Sequence, residues 1–107
     1  MLQTIEQKHE SDNDGNPAGG FTKGIGFEIT WQNGPLGRND SRKEPNGAFV
    51  EGIIQAAIGR IEYYQSTQFK CRENSLALTK LEEALHWLQS RTARREVQLV
   101  EGTHKGN

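Results

Sequence analysis

Apolar side chains recur at three- and four-residue steps through the second half of the chain, and the pattern breaks only once. Such spacing gathers the marked residues on one face of a helix with 3.6 residues per turn. The first run is Phe49, Val50, Ile53, Ile54, Ala57, Ile58, Ile61 and Tyr64. It predicts a helix over about 46–65, with Asn46, just after Pro45, as its N-cap. Gly52 and Gly59 interrupt this run, each costing up to about 1 kcal/mol relative to alanine. Lying near one helix face, the two glycines leave room for a close neighbour. Gln65-Ser66-Thr67-Gln68 ends the pattern. Leu78, Leu81, Leu85 and Leu88 resume it and predict a second helix over about 72–96. Two helices joined by a short polar loop pack antiparallel as an αα-hairpin.

Upstream the period changes. In IGFEITWQ, Ile25, Phe27, Ile29 and Trp31 alternate with Gly26, Glu28, Thr30 and Gln32, the period of two of a half-buried strand. Asn33-Gly34-Pro35 stops it as a turn, since glycine tolerates positive φ and proline fixes its own. The strand and turn span about 25–37, and only a weak return strand is signalled in LGRNDSRKEP. Residues 1–20 are polar apart from Leu2 and Ile5 and end in Gly, Asn and Pro, so they read as a flexible tail. Residues 97–107 read as a glycine-rich C-terminal tail. The expected fold class is α+β: a small N-terminal antiparallel β element followed by a two-helix hairpin, in one domain over 21–107.

The chain has 107 residues, of which 33% are hydrophobic, and its mean hydropathy is −0.81. A domain of this size buries only about 60–70% of the surface its unfolded chain exposes. So thin a core favours burial of apolar faces against further copies of the chain, and an oligomer is expected. Thirteen basic residues balance fourteen acidic ones, for a net charge of −1. That balance argues against binding a DNA or RNA polymer, which needs a basic surplus. A small anion is a different case, because a few clustered arginines suffice for it. The lone cysteine, Cys71, fits a reducing cytoplasm and is expected as a small buried hydrophobe near the start of the second helix. No run approaches the roughly 18–20 apolar residues of a membrane helix, and the N-terminus lacks the apolar core of a signal peptide. A cytosolic protein without membrane partners is therefore expected.

The residue types that suit a nucleotide lie at the helix ends. Arg91 and Arg95 are one turn apart and point the same way. Their planar forks fit phosphate bidentately, whereas a purely structural role would be to complement the helix dipole. Lys80, Ala84, Trp87 and Arg91 form a second stripe, in which Trp87 serves either as packing or as a stacking surface between cations. Tyr63 and Tyr64 end the first helix and Asn74 opens the second, bringing an aromatic face and an amide to the hairpin's closed end. Adenine recognition uses such parts. Asn74, however, precedes Arg91 and Arg95 by roughly 25–30 Å of helix at 1.5 Å per residue, more than a small ligand spans. A single ligand touching both groups requires two chains with their second helices antiparallel, and hence a dimer with paired sites.

Catalysis has little support. His9 lies in the expected tail, His86 between Leu85 and Trp87, and His104 near the C-terminus. None has metal-ligand spacing with Cys71, and no nucleophile–base arrangement surrounds them. Glu82 and Glu83 are adjacent and splay about 100° apart on a helix. No phosphate-binding loop of the G-x-x-x-x-G-K-S/T type is present. The chain is read as a non-enzyme with no cofactor, metal or catalytic residue.

The segment from GRIEYYQ through FKCRENSLALTKLEEALHWLQSRTARR to VEGTHK resembles the Thoeris anti-defence 1 family of phage proteins, which shares a helical-hairpin domain with a phage anti-CBASS sponge family. FEITWQNGP also resembles that family's strand and turn, so the resemblance covers roughly residues 25–106. It implies a protein that binds cyclic ADP-ribose isomers without cleaving them and starves the immune effector of its activator in the cytoplasm of the infected bacterial host. It also implies a dimer or a hexamer, since members are dimers that can assemble into hexamers, and some members hold cyclic di- or trinucleotides at separate sites. By position, Tyr64 matches the aromatic that stacks on the base, where the family commonly has phenylalanine. Asn74 matches the nearby amide, and Arg91 and Arg95 the basic pair that holds the ligand. Arg72, Gly102 and Thr103 are candidates for the second cyclic-nucleotide site. A sponge mainly for CBASS-type cyclic di- or trinucleotides is the alternative.

Overall fold

The computed structural model describes residues 4–37 and 39–97, of which residues 39 and 95–97 are described by their backbone alone. The chain divides into two compact units, one running through Phe49 and the other comprising Val50–Val97.

The first unit is a three-stranded antiparallel sheet in the order β1 (Glu6–Ser11), β2 (Pro17–Gly24), β3 (Phe27–Thr30). β1 and the first half of β2 thus lie inside the stretch expected to be a polar tail. Composition misleads there because EQKHES has no apolar face of its own. It is held by pairing along β2, with Gln7 opposite Thr22 and Lys8 opposite Phe21. His9 likewise sits in β1, opposite Gly20. Gly20 adopts φ +124°, and a Cβ there would meet the Lys8 carbonyl oxygen at 2.1 Å, so the close strand approach demands glycine. Asp12 closes the first hairpin by accepting from the backbone N–H groups of Asp14 and Asn16, each at 2.9 Å.

The alternation expected from Ile25 to Trp31 is realised over a shorter span. Ile25 stands in the turn before β3, 80% exposed, while Ile29 and Trp31 are half-buried. β3 pairs backward with β2, and the downstream segment holds a short 3-10 helix, Asn39–Ser41, in place of a return strand. A polar chain crosses the sheet. The Trp31 indole N–H donates to the hydroxyl of buried Thr22 at 2.8 Å, and that hydroxyl donates to Gln7 Oε1 at 3.2 Å. Trp31→Phe keeps an aromatic ring, though a smaller one, but leaves the Thr22 oxygen without its donor, and is expected to lower the unfolding free energy by at least about 1–2 kcal/mol. Chemical denaturation checks this; an unchanged midpoint would mean that the indole N–H contributes nothing net.

Asn46 does not cap a helix. Its backbone N–H donates to Gln32 Oε1 at 2.9 Å, and its side chain accepts from the Asn33 N–H at 2.8 Å and donates to the Asn33 carbonyl at 3.1 Å. It closes the connection back onto the end of β3, so the helix begins four residues later. Gly47 allows this approach, because a Cβ would lie 2.5 Å from the Trp31 carbonyl.

The second unit is a helical hairpin of α1 (Val50–Gln65) and α2 (Arg72–Val97), close to the predicted bounds. Ile54, Ile58 and Ile61 of α1 are the less exposed positions, as are Ala77, Leu78, Leu81, Ala84, Leu85 and Leu88 of α2. Both sets follow the three- and four-residue step of a packing seam. Ile58 is the one apolar side chain among the described residues that is buried, and none of them is fully enclosed. Val50, Ile53, Leu76 and Trp87 remain exposed. A Cβ at Gly52 or Gly59 would meet nothing within 4 Å, so among the described residues none fills the space expected beside them. Among the described residues no helix is long and apolar enough to cross a membrane.

Candidate functional site

The closed end of the hairpin is built by side chains that satisfy helix-end backbone groups. The Ser66 and Thr67 hydroxyls donate to the carbonyls of Tyr63 and Tyr64, each at 2.6 Å, and the backbone N–H groups of the same two residues donate to them as well, each at 3.0 Å. Gln65 does the corresponding work for α2. Its Oε1 accepts from the Cys71 N–H at 2.9 Å, and its Nε2 donates to the Cys71 carbonyl at 3.0 Å and to Ser75 Oγ at 2.9 Å. Asn74 Nδ2 donates to the same Oε1 at 3.1 Å. The residue after Tyr64 therefore holds Asn74, which places the candidate aromatic and the candidate amide together at this end. Cys71 is exposed rather than buried, because it precedes α2 with its backbone gripped by Gln65. Arg72 is exposed at the first position of α2.

Tyr64 is 39% exposed and does not stand alone. The Arg60 guanidinium carbon lies 5.0 Å from the Tyr63 ring centroid and 5.1 Å from that of Tyr64, and Nε donates to the Tyr64 hydroxyl at 3.3 Å. The hydrogen bond to Tyr64, and secondly the nearby phenol's capacity for negative charge, raise the Arg60 pKa above its ordinary value. An exposed cation over two aromatic faces suits an anionic, flat ligand. Sequence reading passed over both Arg60 and Gln65. The signal for Arg60 was its spacing of three and four residues from the tyrosines. In the sequence Gln65 is only a break in the apolar pattern.

Arg91 and Arg94 are exposed near the far end of α2, and the helix runs unbroken past residue 95. Arg91 and Arg95 thus keep the one-turn spacing expected of them. The Arg95 side chain and Gly102 and Thr103 lie outside the described residues. Within one chain the arginine pair and the Tyr64–Asn74 end occupy opposite ends of α2, which is about 39 Å long at 1.5 Å per residue over its 26 residues. Among the described residues no three His, Cys, Asp or Glu side chains are grouped to hold a metal ion.

The sequence that forms this hairpin matches a known protein family. The family model for the Acb2/Tad1 hairpin domain matches residues 23–93. The chain belongs to that family. It is also 47% identical over 77 residues to Thoeris anti-defense 1 of Bacillus phage SBSphiJ7, an alignment covering 72% of this chain and 51% of the relative. The chain thus spans about half the length of the curated relative it matches. The Acb2/Tad1 match includes β3, the connection through Asn46, all of α1, and α2 past Arg91, and so takes in Tyr64, Asn74 and the first arginine of the pair.

Proposed function

We propose that the chain is a phage anti-defence sponge, which binds and sequesters the cyclic ADP-ribose isomer signal of the Thoeris immune system without degrading it. It acts in the cytoplasm of the infected bacterial host, where removal of the signal leaves the effector unactivated. The observation that carries this reading is the presence, at the closed end of a hairpin of this family, of both an exposed aromatic and an oriented amide. Tyr64 stacks on the base, Asn74 bonds its edge, and Arg91 and Arg95 hold the phosphates. The name of the phage relative supports the anti-defence role.

Because the arginines stand at the far end of α2, the site is assembled from two chains, the arginines of one facing Tyr64 and Asn74 of the other. The exposed apolar residues of the hairpin support self-association, Trp87 at 65% exposure above all. Dimers built this way can pack further into hexamers. Arg72, Gly102 and Thr103 are assigned to a separate site for cyclic di- or trinucleotides.

A sponge needs tight capture, and a nanomolar dissociation constant corresponds to about −12 kcal/mol. Stacking, two charge-assisted phosphate contacts and enclosure between chains can supply it. The test is calorimetry with a cyclic ADP-ribose isomer and with cyclic di- and trinucleotides, followed by heat denaturation of the loaded protein and chromatography of what is released. Tight binding of the ADP-ribose isomer with intact recovery is expected. Recovery of fragments would make the protein a hydrolase. Tight binding of the cyclic oligonucleotides alone would make it a sponge of CBASS type. A lone protomer that captures the isomer at full strength would overturn the two-chain site.

A further inference from the structure

The bonds around Gln65 fix which way round the Asn74 amide sits, with one Nδ2 hydrogen bound to Gln65 and Oδ1 turned away from it. A backbone N–H can only donate, so the Gln65 atom 2.9 Å from the Cys71 nitrogen is the oxygen. Nε2 then faces two acceptors, the Cys71 carbonyl and Ser75 Oγ, as its own chemistry requires. The Asn74 atom 3.1 Å from Gln65 Oε1 must supply a hydrogen, so it is Nδ2. Reversing Asn74 would set two carbonyl oxygens against each other, and Gln65 cannot reverse to relieve them without losing both of its bonds to the Cys71 backbone. Among the described residues Asn74 Oδ1 accepts no hydrogen bond.

We propose that Gln65 is a positioning residue that presents Asn74 Oδ1 to the ligand, and that it thereby selects a base bearing an amino group at that edge over one bearing a carbonyl. The favoured base is a 6-aminopurine; a 6-oxopurine would place an oxygen opposite Oδ1. With the ring stacked on Tyr64 and the phosphates held elsewhere, the in-plane rotation that would exchange one edge for another is restricted. This inference rests on the reading of Asn74 as a ligand-binding amide given above. It adds to that reading which atom faces the ligand, what holds it there and which base it excludes.

The probes are an adenine-containing cyclic ADP-ribose isomer and its hypoxanthine counterpart, titrated into the full-length chain. The wild type is expected to bind the amino ligand tighter by on the order of tenfold to a thousandfold, as sites built around a specific hydrogen bond do. Gln65→Leu, which can no longer hold Nδ2, is expected to bring the ratio within about twofold, the adenine ligand still being bound through the arginines. Gln65→Glu keeps an oxygen for both the Cys71 and Asn74 donors and is expected to retain most of the preference. In ligand-free wild type, the Asn74 side-chain amide protons are expected to exchange with water more slowly than those of Asn13 in the exposed hairpin turn. A wild-type ratio near one, an unchanged ratio in Gln65→Leu, or Asn74 protons exchanging as fast as those of Asn13 would overturn the proposal. Should Gln65→Leu fail to fold, the wild-type ratio and the exchange measurement still decide. Failure of the wild type to bind either ligand would overturn the parent reading as well, whereas binding without discrimination removes only this one.

Discussion

Joint replacement of Arg91 and Arg95 by alanine is expected to abolish nucleotide capture while leaving the hairpin folded. Each charge-assisted contact contributes about 1.5–3 kcal/mol, so the pair accounts for about 3–6 kcal/mol, or a loss of affinity on the order of a hundred- to ten-thousandfold. Alanine is the best helix former, so α2 should keep its helical circular dichroism and the assembly its mass. If the arginines served only to complement the helix dipole, the change would be a few tenths of a kcal/mol in stability and none in binding. Titration of the double variant with a cyclic ADP-ribose isomer separates the two. Wild-type affinity would remove the arginines from the site.

Ile58→Asp is expected to unfold the hairpin. Ile58 is 9% exposed in a seam whose other members are only half-buried, so little else compensates for its loss. Truncation to alanine should cost about 2–4 kcal/mol, and an aspartate adds an unpaired buried charge to that. A domain with about 5–15 kcal/mol of total stability, and here a thin core, has little margin for both. Far-UV circular dichroism and urea denaturation check it. Ile53, on the same helix at 36% exposure, is the control: Ile53→Asp should leave the protomer helical and impair association instead. Retained helicity in Ile58→Asp would mean that the α1–α2 seam is not what stabilises this unit.

The amino-acid order by itself determined the two helices, because a helical repeat is a local property. Ile54, Ile58 and Ile61, like Leu78, Leu81, Leu85 and Leu88, carry their own face with them wherever the chain goes. The same locality placed Tyr64 and Asn74 beside the loop and Arg91 and Arg95 one turn apart. Strand pairing is not local. EQKHES has no apolar stripe to announce it, and only its partner on β2 makes it a strand. Asn46 has the right residue type for a helix cap, yet Gln32 and Asn33, distant in sequence, offered its amide better-placed partners. Gln65 is the clearest case. As a letter in the sequence it was a polar interruption; its orienting role exists only because the chain turns back and sets Cys71, Asn74 and Ser75 around one amide. Hydrogen bonds between residues brought together by a turn depend on where that turn places them, and no periodicity encodes it.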